Sequence, residues 1–257
     1  MFRRSAIFAY SIASYAVFFV TYLYAAGFLG NFLVPKSIDS PRAGSVAQAI
    51  LVDAGLLLLF ALQHSVMARP AFKRWWTRFV PQPAERSTYV LFSSLALILL
   101  FWLWQPIGGA VWRIQNPIGR GVMYGLFAVG LLTVLVTTFL INHFDLFGLR
   151  QGWLYFRNRP YTNLHFVTPG PYKIVRHPLY VGWLLTFWAT PDMTAAHAFF
   201  ALLTTAYILV AIQLEERDLA NAYPDYERYR QQVPMLIPRT ARRTAAVELK
   251  PTAPDAI

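Results

Sequence analysis

The sequence contains no cysteine among its 257 residues. Disulfides, thiolate metal sites and a cysteine nucleophile are therefore excluded. Histidine is scarce: five residues, spread over separate segments without HExxH-type spacing, so no protein-bound metal is expected. Charge is scarce too, at 14% of residues, and acidic side chains number only 12 against 23 basic ones, for a net charge of +11. Neither an internal repeat nor a linker long enough to separate soluble domains is visible.

What fills the chain instead is apolar. Hydrophobic residues make up 56% and aromatics 16%, and mean hydropathy is +0.41. Apolar runs of about 20 residues recur, the length that crosses a bilayer core. The expectation is an all-α, polytopic integral membrane helical bundle whose partner is the lipid bilayer. The positive charge then needs no nucleic acid to explain it, because basic residues gather in particular loops. Arg3 and Arg4 precede a run too long for a secretory signal, which reads as a retained helix.

Spanning segments are expected at about 5–29, 46–67, 88–104 and 121–141. A C-terminal hairpin follows, with arms at about 178–189 and 195–214. Between them lie loops at 31–45, 68–87, 105–120 and a long aromatic, basic stretch at 142–175. Pro160, Pro169, Gly170 and Pro171 argue against one long helix in that stretch. After Glu215 an amphipathic helix is expected, broken or restarted at Pro224, and residues 239–257 read as a basic disordered tail. The organisation read from this is 1–141, a four-helix membrane region; 142–238, a loop, hairpin and C-terminal helix; and the tail. Lys and Arg concentrate at the N-terminus, in 68–87, in 142–176 and in the tail. About six crossings with both termini cytoplasmic satisfy that bias, which places the protein in the bacterial inner membrane.

One stretch organises the rest: GPYKIVRHPLYVGW, from Gly170 to Trp183, answered across the hairpin by EERDLANAYPDYERY, from Glu215 to Tyr229. Pro178 at a first helical position wastes no amide donor, so Arg176-His177-Pro178 reads as a helix start. Such a start aims free N–H groups and a positive dipole end at a ligand. Glu215, Glu216 and Asp218 return to the same face. An anion-accepting helix start opposite carboxylates suits a cationic zwitterion such as S-adenosyl-L-methionine, with its carboxylate, ammonium and sulfonium.

The same residues carry a family resemblance. Gly170, Tyr172, Arg176, His177, Pro178, Tyr180 and Gly182, then a hydrophobic hairpin, then Glu215, Glu216, Leu219, Tyr226 and Tyr229 resemble the signature of the isoprenylcysteine carboxyl methyltransferase and phospholipid methyltransferase superfamily. The resemblance implies that both halves form the pocket for S-adenosyl-L-methionine. Tyr172, Arg176, His177, Tyr180, Glu215, Glu216, Tyr226 and Tyr229 are the expected cofactor-binding residues, with Arg176 on the cofactor carboxylate. FALQHSVMARPAFKRWWTR, from Phe60 to Arg78, resembles an NnrU-type membrane domain. Taken with NHFDLFGLRQ from Asn142, the pattern resembles bacterial thiol S-methyltransferases. That implies a small-molecule thiol acceptor, methanethiol, converted to dimethyl sulfide. The oligomeric state is not readable.

Two further polar groups sit at the expected cytoplasmic ends of helices. In Asn142-His143-Phe144-Asp145, a histidine supported by a carboxylate would be a general base near neutral pH. On an ideal helix His143 and Asp145 face apart, so they meet only where the helix unwinds, as Gly148 allows. Interfacial helix capping explains the same residues. In Gln63-His64-Ser65, an interhelical hydrogen bond or a substrate contact would satisfy polar groups at that depth. His143 with Asp145 is the first expectation for the catalytic base and His64 the second. Asn142, Gln63 and Trp183 are the expected acceptor contacts. Asp53, deeper in the second segment, is expected to pair or be protonated, and most tryptophans to anchor the interface. A lipid-linked acceptor (a prenylcysteine carboxylate or phospholipid amine) and a non-enzymatic NnrU-like protein are the alternative readings.

Overall fold

The computed structural model describes residues 1–41, 44–162, 164, 167–223 and 225–238. Pro224, His165 and the tail from Arg239 lie outside the described residues. Ten α-helices order the described residues: α1 (Phe2–Gly30), α2 (Val46–Ala68), α3 (Pro70–Trp76), α4 (Gln82–Leu103), α5 (Pro117–Ile141), α6 (His143–Leu146), α7 (Leu149–Phe156), α8 (Pro178–Trp188), α9 (Ala195–Ala222) and α10 (Tyr226–Gln232). Two short strands, β1 (Ala110–Arg113) and β2 (Asp192–Thr194), pair antiparallel.

Among the described residues five helices, α1, α2, α4, α5 and α9, are long and apolar enough to cross a bilayer. Their outward faces carry exposed Ile12, Val20, Leu51, Leu58, Leu132 and Val210. An apolar belt of that kind belongs against lipid. The inward faces pack Phe28, Leu100, Phe101, Trp104, Phe200 and Ile212 into one core shared by helices on both sides of residue 141.

The sixth expected crossing is met by α8, whose 11 residues rise roughly 16 Å, about half the hydrocarbon thickness. It nevertheless carries the chain through the bundle, because β2 just beyond it pairs with β1 in the α4–α5 loop. That loop and the hairpin tip are clipped together: Trp112 donates to the Thr190 carbonyl, and Arg113 and Arg120 pair with Asp192.

Helix boundaries shift where capping outweighs hydropathy. Asn116 accepts from the amides of Ile118 and Gly119, so α5 starts at Pro117 rather than 121. Helix α4 starts at Gln82, six residues early, with Pro83 in its first turn and Glu85 favourable at the dipole. Helix α9 runs on to Ala222, so Glu215 and Glu216 lie on a continuous helix rather than just past its end. The buried Asp53 accepts from the Gln105 amide at 2.8 Å, fixing the turn after α4.

Helices α5 and α8 cross through glycine. A Cβ on Gly130 would stand 2.5 Å from the Thr186 hydroxyl, and one on Gly182 would stand 2.9 Å from the Gly130 carbonyl. The glycine after the RHP motif is therefore a contact point for close helix approach. Gly182→Val should cost about 1–3 kcal/mol through overpacking, or roughly 2–4 °C of melting temperature per kcal/mol. A thermal-shift series in detergent that leaves this variant at the wild-type temperature would contradict the crossing.

Candidate active site

One end of the bundle gathers the start of α1, the end of α2, α3, the start of α4, α6, α7, the start of α8, the end of α9 and α10. Ser87 ties three of these together, its hydroxyl 2.9 Å from that of Ser11 and 3.3 Å from the Gly148 carbonyl. Arg86 donates to the Leu146 carbonyl at 2.7 Å. Behind this end lies a cavity of about 1120 Å³, walled by α1, α2, α4, α5, α8 and α9.

The two signature halves meet at the cavity mouth. Glu216 is buried, and its Oε1 accepts from Arg176 Nε at 2.7 Å and from His177 Nε2 at 2.9 Å. Because a carboxylate only accepts, His177 carries its hydrogen on Nε2. Arg176 also donates from one terminal nitrogen to the carbonyls of Arg230 at 2.8 Å and Val233 at 2.6 Å. The Arg176 and His177 amides donate to the Pro234 and Met235 carbonyls. Arg176 was expected to hold a ligand carboxylate; two of its three nitrogens are spent on pinning α8, α9 and the chain after α10. Glu216 does not reach the cavity wall.

Glu215 does reach it, with a half-exposed side chain whose Oε2 accepts from the Tyr180 hydroxyl at 2.9 Å. Among the described residues the amides of Leu179 and Tyr180, in the first turn of α8, meet no protein acceptor. Tyr229 donates to the Tyr172 carbonyl at 2.6 Å, and both rings, with Tyr226, line the same mouth. Burial pushes the Tyr172 and Tyr229 hydroxyls up, so they stay neutral. Trp183 lines the cavity below, its ring stacked on Phe187 at 5.6 Å and edge-on to Tyr22 at 6.0 Å.

Lys73 of α3 also faces the cavity. Its ammonium has no hydrogen-bond or ion-pair partner among the described residues, and burial lowers its pKa. Arg69, by contrast, is paired with Asp218 at 2.8 Å.

His143 and Asp145 are brought to the cavity wall, as the break at Asn142 (φ 153°) allows, but not to each other. Asp145 accepts from Arg150 at 2.9 Å and from the Tyr161 hydroxyl at 3.2 Å. His143 is held by Tyr15, 2.8 Å from Nε2, and by Thr138, 2.8 Å from Nδ1. Thr138 gives its single proton to the Leu135 carbonyl, so Nδ1–H must donate to Thr138 and Nε2 must accept from Tyr15. The ring also stacks on Phe139 at 4.0 Å. The expected His143–Asp145 bond is thus absent, because Arg150 is the stronger partner for the carboxylate. Asn142 lines the cavity, but its side-chain oxygen caps α6 by accepting from the Asp145 amide.

Burial lowers the His143 pKa below the ordinary 6.5. The unfolded chain then binds the proton that the folded chain refuses, so stability falls as pH drops below about 6.5. His143→Gln should flatten that acid slope between pH 6.5 and 5. An unchanged slope in denaturation curves measured across this range would contradict the assignment.

His64 lines the cavity from α2. Its Nδ1 lies 3.2 Å from Ser93 Oγ and its Nε2 2.9 Å from the Tyr89 hydroxyl, while its ring stacks on Phe60 at 5.2 Å. Ser65 beside it bonds Tyr207 at 3.1 Å. Tyr89 and Tyr207 stand close enough to Glu215 to feel its charge. This part of the lining therefore lies beside Glu215. Gln63 turns away, donating to Met67 Sδ and Ser93 between α2 and α4, and does not line the cavity. Tyr89, Tyr207 and Lys73 escaped the sequence reading. A phenol inside an apolar helix is the signal that would have found the first two.

Among the described residues no cluster of three or more potential ligands could hold a metal ion. A family model described as phospholipid methyltransferase matches residues 120–226. Methanethiol S-methyltransferase of Crocosphaera subtropica is 58% identical over 94% of this chain and 95% of that protein. The protein of the same name from Mycobacterium tuberculosis is 51% identical over 94% of this chain and 100% of its own length. Nurim of Sus scrofa is 31% identical over 67% of this chain and 70% of that protein. No solved structure matches. With the signature halves joined at one cavity mouth, these likenesses assign the family: the chain belongs to the methanethiol S-methyltransferases.

Proposed function

We propose that this chain transfers a methyl group from S-adenosyl-L-methionine to methanethiol, giving dimethyl sulfide and S-adenosylhomocysteine. Family membership establishes a methyltransferase, which requires a methyl donor. The observation carrying the choice of donor is the polarity of the cavity mouth. There a half-exposed carboxylate, Glu215, shares the cavity lining with Leu179 and Tyr180, whose amides meet no acceptor among the described residues, and with Lys73, whose ammonium has no partner among them. That set complements a zwitterion: Glu215 for an ammonium or ribose hydroxyls, and Lys73 with the α8 amides for a carboxylate. The cofactor, when bound, supplies a sulfonium methyl. Tyr172, Tyr180, Tyr226 and Tyr229 wall it in, and Trp183 offers a ring face to positive charge. His177, Arg176 and Glu216 act as positioning residues that hold the two halves together.

A thiolate, not a thiol, attacks, so the site must take a proton. His64, which touches Tyr89 and Ser93 hydroxyls and lies on the wall nearest Glu215, is the proposed acceptor. Asn142 and Trp183 border the same space and would contact the acceptor. His143, held by Thr138 and Tyr15, shapes the cavity wall just past the end of α5. Calorimetry with S-adenosylhomocysteine tests the donor reading: one saturable site is expected, weakened about ten- to hundredfold by Glu215→Gln or Lys73→Ala. Wild-type affinity in both variants would move the pocket elsewhere.

The site end is proposed to face the cytoplasm of a bacterial inner membrane. It carries Arg3, Arg4, Arg69, Lys73, Arg74, Arg78, Arg86 and Arg150, whereas the other end has few basic residues. Single cysteines at exposed Ile118 and Arg78 have no native background. An impermeant maleimide should label only Ile118→Cys in intact cells. Labelling of Arg78→Cys alone would invert the topology.

A further inference from the structure

The cavity does not stop where the cofactor and methanethiol would. Below His64, Tyr89 and Tyr207 the lining turns apolar, with Ala25, Leu29, Leu97, Phe101, Phe187 and Phe200 as its walls. Along α4 from Tyr89 to Phe101, and along α9 from Tyr207 to Phe200, the wall continues for roughly 18 and 10 Å. The whole volume, about 1120 Å³, exceeds the range of about 300–1000 Å³ that holds drug-sized ligands. A methyl substituent would occupy only the start of this arm.

We infer that the acceptor range includes lipophilic thiols, with the thiol beside His64 and an alkyl tail of several carbons in the apolar arm. The inference rests on the proposed thiol methyltransfer and extends its substrate class. Three features fix the occupant's chemistry. The arm is continuous with the polar junction, so a tail leaves its sulfur at the level of His64, Tyr89 and Glu215. Its walls are largely aliphatic and aromatic, and the buried hydroxyls among them, Thr21, Ser94 and Thr204, donate to backbone carbonyls of their own helices, so the arm favours hydrocarbon. Finally, surrounding helices with lipid-facing apolar belts place the cavity at the depth where alkyl thiols partition. The chemistry balances as for methanethiol. The S–H proton passes to His64 and then to water. An S–CH₃ bond forms as the donor sulfonium's S–CH₃ bond breaks, and the donor leaves as a neutral thioether.

The test is a series of methane-, butane- and hexanethiol given to the full chain in nanodiscs with S-adenosyl-L-methionine, reading kcat/KM by release of S-adenosylhomocysteine. Each methylene buried in the arm should raise kcat/KM about fourfold until the arm is full. Partitioning into lipid also favours longer thiols, so the deciding comparison uses two filling variants. Ala25→Leu and Leu97→Phe should each cut hexanethiol turnover at least tenfold while leaving methanethiol within about twofold of wild type. Two variants on different helices guard against one that fails to fold, which S-adenosylhomocysteine binding identifies. Turnover of methanethiol but not of butane- or hexanethiol would overturn the inference and leave the proposed function standing. Equal losses for both thiols in folded variants would also overturn it. No turnover of any thiol would sink both.

Discussion

His64→Ala is expected to lower turnover about 10²–10⁴-fold, the usual worth of a positioned proton acceptor, while leaving S-adenosylhomocysteine affinity near wild type. The reason is placement. His64 bonds Tyr89 and lines the cavity with Tyr207 and Glu215, whereas His143 packs among Phe139, Phe147 and Tyr15 just past the end of α5. Raising the pH should partly rescue His64→Ala, since a thiol forms more thiolate without enzymic help as pH approaches its own pKa. Tyr89→Phe removes only the hydroxyl that orients the ring, so its loss should be milder. His143→Ala should cost stability more than turnover, because it leaves Tyr15 and Thr138 without their partner. Asp145→Asn should act through the Arg150 ion pair, not through the base. If His143→Ala loses turnover and regains it at high pH while His64→Ala does not, the proton acceptor is His143.

The second large effect separates two adjacent carboxylates. Glu216→Ala should abolish measurable cofactor binding by unlocking the hairpin, and Glu215→Gln should weaken binding without loosening it. Glu216 is buried with Arg176 and His177 on a single oxygen. Removing one partner of such a pair strands the other charge and costs about 3–5 kcal/mol. Arg176 would then lose its hold on the ends of α9 and α10 together. Melting temperature should fall for Glu216→Ala and stay for Glu215→Gln. The reverse pattern would mean that Glu216, not Glu215, meets the ligand.

Much of this was legible in the sequence for a physical reason. Long apolar runs have few ways to hide their backbone polarity, so α1, α2, α5 and α9 follow from hydropathy. The helix start at Pro178 follows from a residue without an amide proton. The signature halves at Arg176-His177 and Glu215-Glu216 follow from the hairpin that returns the chain to the end it left. What sequence could not show was which of two neighbouring glutamates points inward. A rotation of 100° per residue around α9 sends Glu215 to the cavity and Glu216 to Arg176, and that phase is set by packing. Arg176 likewise looked like a ligand donor because its acceptors are the backbone carbonyls of Arg230 and Val233, which no side-chain pattern announces. The same holds for Asp145, claimed by Arg150 five residues on. The β1–β2 clip was missed because four residues of Ala-Val-Trp-Arg carry no periodicity long enough to read.

The central claim is methyl transfer to a small thiol, and isotope transfer tests it most directly. Purified protein in nanodiscs, given methanethiol and S-adenosyl-L-methionine with a trideuterated methyl group, should release dimethyl sulfide carrying that label on one methyl, with stoichiometric S-adenosylhomocysteine. Headspace mass spectrometry reads both methyl groups at once. Unlabelled dimethyl sulfide, or S-adenosylhomocysteine binding with no methanethiol-dependent product, would contradict the account.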